Sequence, residues 1–133
     1  MSNVLQSLEQ VSQLLQAASN ARDLAQQLGK ITQDNSSEIA VHPNDTVFTD
    51  LSVIMQPDST EPAHVRLHLA VPVAISTLSE QLGIPKKSPP KPSGKSSQIF
   101  NAAYPGESYN VTLIVDGNDP VVEVVLRRDI RLS

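Results

Sequence analysis

Apolar residues recur at a three-and-four spacing from Val4 through Leu8, Val11, Leu15, Ala18, Ala21 and Ala25 to Leu28. That stripe predicts one long helix over about residues 3–28. Asn3 can cap its start, with Gln6 placed to reach back, and Gly29 is a natural stop. The opposite face is mostly Gln and Ser, so little specifies a free-standing coiled coil. The stripe is expected to pack on a sheet, the chain's own or a partner's.

From Val47 the period changes to two. Val47, Leu51, Val53 and Met55 form an inward set against Asp50, Ser52 and Gln56, with Phe48 and Ile54 breaking the pattern. After the turn-forming Pro57-Asp58-Ser59-Thr60-Glu61-Pro62, the set Val65, Leu67, Leu69, Val71, Val73 and Ile75 alternates with His64, Arg66, His68, Ala70, Pro72 and Ala74. This predicts a β-hairpin over about residues 46–75 with one buried face. Pro72 removes a ladder donor and marks a sheet edge or a bend.

A short helix is expected next, because Thr77-x-x-Glu80 has capping-box spacing and Leu82-Gly83-Ile84-Pro85 reads as a glycine C-cap with a proline stop. The segment of about residues 86–97 contains no apolar residue and is expected to be an exposed basic Pro/Lys loop. The C-terminal part, about residues 108–132, opens with a strand from Ser108 to Val115 and the turn Asp116-Gly117-Asn118-Asp119-Pro120. Val121 to Leu132 reads either as a returning strand or as a helix capped by Asp119 with Pro120 at its first position. Its four valines favour the strand.

Composition narrows the picture further. The 133 residues fit a single domain, and with two Phe, two Tyr and no Trp its core must be aliphatic. A net charge of −4 provides no global basic field for nucleic acid, so any such contact has to be local. The absence of cysteine removes disulfides, thiolate nucleophiles and Cys-based zinc sites and is compatible with any redox compartment. No apolar run has the length of a membrane span, and the N-terminus lacks the features of a signal peptide, so synthesis in the cytoplasm is expected. The three Asn-x-Ser/Thr sequons then read as chance.

Catalytic chemistry finds no constellation. His64 and His68 would share an ion on a helix, but on a strand they lie roughly 13 Å apart at about 3.3 Å per residue. His42 precedes Pro43 and has no partner in sequence. No serine sits in a Gly-x-Ser-x-Gly elbow, five glycines supply no phosphate loop, and Glu9, Asp23, Glu38 and Glu80 are scattered on polar faces. Neither enzyme, metal nor cofactor is expected. Two binding candidates remain. Lys86-x-x-Pro89-x-x-Pro92 has the form of a polyproline ligand without its flanking aliphatics. The polar hairpin face carries Ser52, His64, Arg66 and His68, groups that contact phosphates and stack on bases.

Thr49-Asp50-Leu51-Ser52-Val53, the Gln56-Pro57-Asp58-Ser59 turn and Val65-Arg66-Leu67-His68-Leu69-Ala70-Val71-Pro72-Val73 resemble the central hairpin of the single-stranded RNA bacteriophage (levivirus-like) coat proteins. Ala102-Ala103-Tyr104 and Ser108-Tyr109-Asn110-Val111-Thr112-Leu113 are similar to two later strands of that family. The resemblance implies a coat subunit in a virion, with a sheet that pairs with a second copy and one face that holds RNA. It places Ser52, His64, Arg66 and His68 on the RNA side and matches Tyr109 to a base-stacking tyrosine, although strand parity puts Tyr109 with Val111, Leu113 and Val115 on the buried face. The family begins with a β-hairpin and ends with two helices, so here the N-terminal helix would replace the missing pair over the sheet.

The expected fold is therefore α+β: a long N-terminal helix on a mainly antiparallel sheet of four to six strands, completed by dimerisation. The expected function is a self-assembling viral coat subunit whose partners are itself and RNA, with no membrane and no small-molecule substrate. The alternative is a non-enzymatic bacterial or phage adaptor that binds a protein partner through its N-terminal helix.

Overall fold

A computed structural model describes residues 4–87, 97–115 and 120–130. The predicted single helix is two. Helix α1 spans Val4–Ala17 and α2 spans Ala21–Leu28, separated by Ala18, Ser19 and Asn20. Asn20 is the cause: its backbone is extended and its side chain accepts from Asp23 N at 2.8 Å, which starts a new helix rather than continuing the old one. Asn20-x-x-Asp23 is a capping spacing that an unbroken apolar stripe concealed. Gly29 ends α2 as expected, its N–H donating to Ala25 O. Asn3, the cap expected for α1, lies outside the described residues.

Eight strands follow: β1 (Gly29–Asp34), β2 (Glu38–Pro43), β3 (Phe48–Met55), β4 (Pro62–Val73), β5 (Lys86–Lys87), β6 (Gln98–Tyr104), β7 (Tyr109–Val115) and β8 (Val121–Ile130), with a third helix, α3 (Ile75–Leu82), between β4 and β5. They form one sheet in the order β1-β2-β3-β4-β8-β7-β6-β5, and every neighbouring pair is antiparallel. The chain meanders through β1 to β4, crosses with α3 to the far edge, and returns inward so that β8 completes the centre beside β4. Four to six strands were expected. The excess arises at the margins, where β1 is mostly polar, β5 has two residues, and the alternation of Ile39 and Val41 in β2 is confined to six residues.

Helices and sheet make two layers with the core between them. Helix α1 lies over β4, β6, β7 and β8, and α2 over β1, β2 and β3. Leu8, Leu15, Leu24, Val53, Val65, Leu67, Leu113, Val124 and Leu126 are fully buried there, joined by both phenylalanines, Phe48 and Phe100. Each such side chain contributes about 1.5–3 kcal/mol on leaving water. The apolar stripe of α1 thus faces its own sheet. Ser7 Oγ donates to Asp45 Oδ2 at 2.7 Å, and Gln16 Nε2 donates to Tyr104 O at 2.6 Å, so α1 is tied to the β2–β3 loop and to the end of β6.

The central hairpin forms as predicted, with the Asp58 turn residue at φ 55°, a conformation Asp tolerates. Its alternation, however, stops at Leu69. Val71 is 69% exposed and Ile75 begins α3. The β4–β8 register shifts between His68 and Val73, so Pro72 marks a bend in a central strand rather than an edge. Helix α3 starts at Ile75, two residues before Thr77, with Ala74 as an N-cap that makes no side-chain hydrogen bond; Gly83 at φ 91° closes it. Val121 to Ile130 is the returning strand. Ser88 to Ser96, which hold most of the Pro/Lys segment and its polyproline-like motif, and Asp116 to Asp119 lie outside the described residues. Among the described residues no helix is long and apolar enough to cross a membrane.

Candidate nucleic-acid interface

The pleat gives each strand one face toward the helices and one away from them. On β3 and β4 the helix side takes Leu51, Val53, Val65 and Leu67, which leaves Ser52, His64, Arg66 and His68 together on the uncovered side. Register joins them: Ser52 stands opposite Arg66, Ile54 opposite His64, and Asp50 opposite His68. Strand β8 adds the other half of the site. Val125 stands opposite Arg66, Arg127 opposite His64, and Glu123 opposite His68.

One row of paired positions therefore crosses the whole open face: Gln33, Ala40, Ser52, Arg66, Val125, Ile114, Ile99 and Lys86. Its middle is polar on the β3–β4 side and aliphatic on the β7–β6 side. Ile99, Ile114 and Val125 are half-buried there, and Ile54 of β3 is half-buried opposite His64. The cationic groups are balanced by acids. Arg66 Nε lies 3.5 Å from Glu123 Oε1, and Arg127 Nε donates to Asp129 Oδ1 at 3.0 Å, with Asp129 also accepting from Thr112 Oγ1 at 2.8 Å. These pairs are solvent-exposed and add little to stability, but they orient the guanidiniums.

His64 is half-buried between the arginines, and its pKa lies below the ordinary 6.5. Burial is the main cause, followed by the positive charges of Arg66 and Arg127; Glu38 opposes them weakly. Tyr104, on the helix side, has its phenol pushed up to about 12 by burial and by Glu9.

Tyr109 does not join the site. It lies on the helix face, as parity indicated, and the Arg128 guanidinium stacks over its ring at 4.1 Å from the centroid. Arg128 in turn donates through Nη1 to Leu15 O at 3.2 Å, in the last turn of α1, and to Ala18 O at 2.7 Å, just past its end. The tyrosine is thus part of a helix clamp.

Sequence reading overlooked Arg127, Glu123 and the aliphatic half of the face. Alternation in Glu123-Val124-Val125-Leu126-Arg127 gave their parity, yet nothing local says that this strand inserts beside β4. His64 and His68 stay on one strand face four residues apart, and among the described residues no three His, Cys, Asp or Glu side chains converge on a point. No family model, curated protein or solved structure matches the chain.

Proposed function

We propose that the protein is a self-assembling coat subunit that binds RNA through the open face of its sheet. The observation that carries this reading is the asymmetry of the two faces. Helices cover one, while the other gathers Ser52, His64, Arg66, His68 and Arg127 at the centre of eight strands. A sheet face this wide, with four half-buried aliphatics beside cationic groups, suits a partner that offers both bases and phosphates. On this reading the N-terminal helices stand in for the C-terminal helices of the coat proteins that the hairpin resembles. Among the described residues the outer strands β1 and β5 have no neighbour on their outer sides, and a second copy can complete these edges. The adaptor alternative has less support, because Leu8, Val11 and Leu15 of α1 are spent on the protein's own core.

Arg66→Ala and His68→Ala test the face directly. Both side chains are exposed and away from the core, so the variants are expected to fold and dimerise like the wild type while retaining about tenfold less RNA, read from the 260/280 nm absorbance of the purified protein. Undiminished RNA in both variants contradicts the assignment. Loss of folding shows that the faces are reversed.

A further inference from the structure

Two arginines and a histidine from two central strands occupy neighbouring positions on the open face. Register sets His64 directly opposite Arg127, and Arg66 follows His64 on the same side two residues on, about 7 Å along the strand. Each arginine is anchored from one edge only, through Nε to Glu123 or Asp129. Among the described residues the Nη groups of both have no protein partner, and the two side chains are 45% and 48% exposed. Two guanidiniums with unused donors stand at positions neighbouring a half-buried imidazole, a set of groups whose donors suit a tetrahedral oxyanion.

We propose that His64, Arg66 and Arg127 form an oxyanion site that takes one backbone phosphate of single-stranded RNA, and that a proton on His64 tightens its hold. This inference rests on the RNA-binding reading above and names the contact and its regulation. Without a bound anion, a proton on His64 meets desolvation and two positive charges, with only Glu38 of β2 in its favour. The charged groups nearest to it in register are Glu123 and Asp129, already paired with the arginines, and His68 and Asp50 beyond Arg66. Lys30, His42 and Lys86 lie on the outer strands of the same face. A phosphate seated on the Nη groups reverses the local field and raises the proton affinity of His64. Linkage makes the effect mutual, so protonation raises phosphate affinity by the same factor. RNA affinity then rises as pH falls through the histidine range.

The test is fluorescence anisotropy of a labelled oligouridylate, whose bases do not titrate in this range, at about pH 7.5 and about pH 5.5. Wild-type protein is expected to bind about tenfold more tightly at the lower pH. His64→Gln removes most of that gain, whereas His68→Gln keeps it. Arg127→Gln weakens binding about tenfold at both pH values and lowers the salt slope by about one. Full pH dependence in His64→Gln, or wild-type affinity in Arg127→Gln, overturns the site while leaving RNA binding by the face intact. Should the wild type bind no oligouridylate, the RNA reading fails, and titration of inorganic phosphate against the His64 ring proton resonances decides the site alone. A raised His64 pKa in phosphate supports it, and an unchanged one overturns it.

Discussion

Arg128→Met is expected to lose about 3 kcal/mol of stability in urea unfolding, although the thioether side chain fills much of the same volume. Arg128 is 7% exposed, and among the described residues its charge faces no carboxylate. Its stability in the core comes from two carbonyls at the end of α1, where the helix dipole is negative, and from the Tyr109 ring beneath the guanidinium. Methionine removes both hydrogen bonds, leaving Ala18 O without its guanidinium donor and Leu15 O with only the long bond from Ala18 N at 3.4 Å, which is the costly half of the change. Arg128→Lys keeps the charge but not the planar stack and is expected to lose about 1 kcal/mol. Equal stability of wild type and Arg128→Met would show that the α1–β8 clamp is not a support of the fold. The clamp matters to function because it holds α1 over the strands whose opposite face carries Arg66 and Arg127.

Gly29→Ala should be comparably severe, for a steric reason. Gly29 joins α2 to β1 with no residue between them, and a Cβ there would meet His42 O at 2.1 Å and the Pro43 Cα at 2.9 Å. Its φ of 165° is extended backbone open to any residue, so the constraint is the closeness of β2 and not the dihedral. Backbone cannot rotate away as a flexible side chain does. The β1–β2 pairing and the Asn44 N to Leu28 O bond at 3.0 Å must give instead. A loss of about 3 kcal/mol is expected, lowering Tm by about 10 °C. A fall of less than about 2 °C would contradict this close approach.

Legibility in the sequence followed the range of the interactions. The β3–β4 hairpin was readable because alternation and turn chemistry lie within about 30 residues of chain. Val121 to Ile130 was readable as a strand because valines crowd a helix. The break at Asn20 carried its own signal in Asp23, hidden by an apolar stripe that runs through both helices in nearly the same phase. Strand order had no local signal at all. Nothing in Glu123 to Asp129 states that these residues pair with His64 to His68 rather than lie at an edge, and that pairing is what assembles the candidate site.

The same limit explains which site residues emerged. Ser52, His64, Arg66 and His68 share one hairpin, so parity alone grouped them. Arg127 came from a separate strand and was invisible as their neighbour. Tyr109 was matched by resemblance against its parity, and parity prevailed, since Val111 and Leu113 must face the helices and Tyr109 goes with them.

Size-exclusion chromatography with multi-angle light scattering and dual-wavelength absorbance, run on the full chain purified without nuclease, tests the central claim most directly. A coat subunit that binds RNA on its open face is predicted to elute as large particles with an absorbance ratio dominated by nucleic acid. Elution as a clean monomer or dimer free of nucleic acid would contradict it.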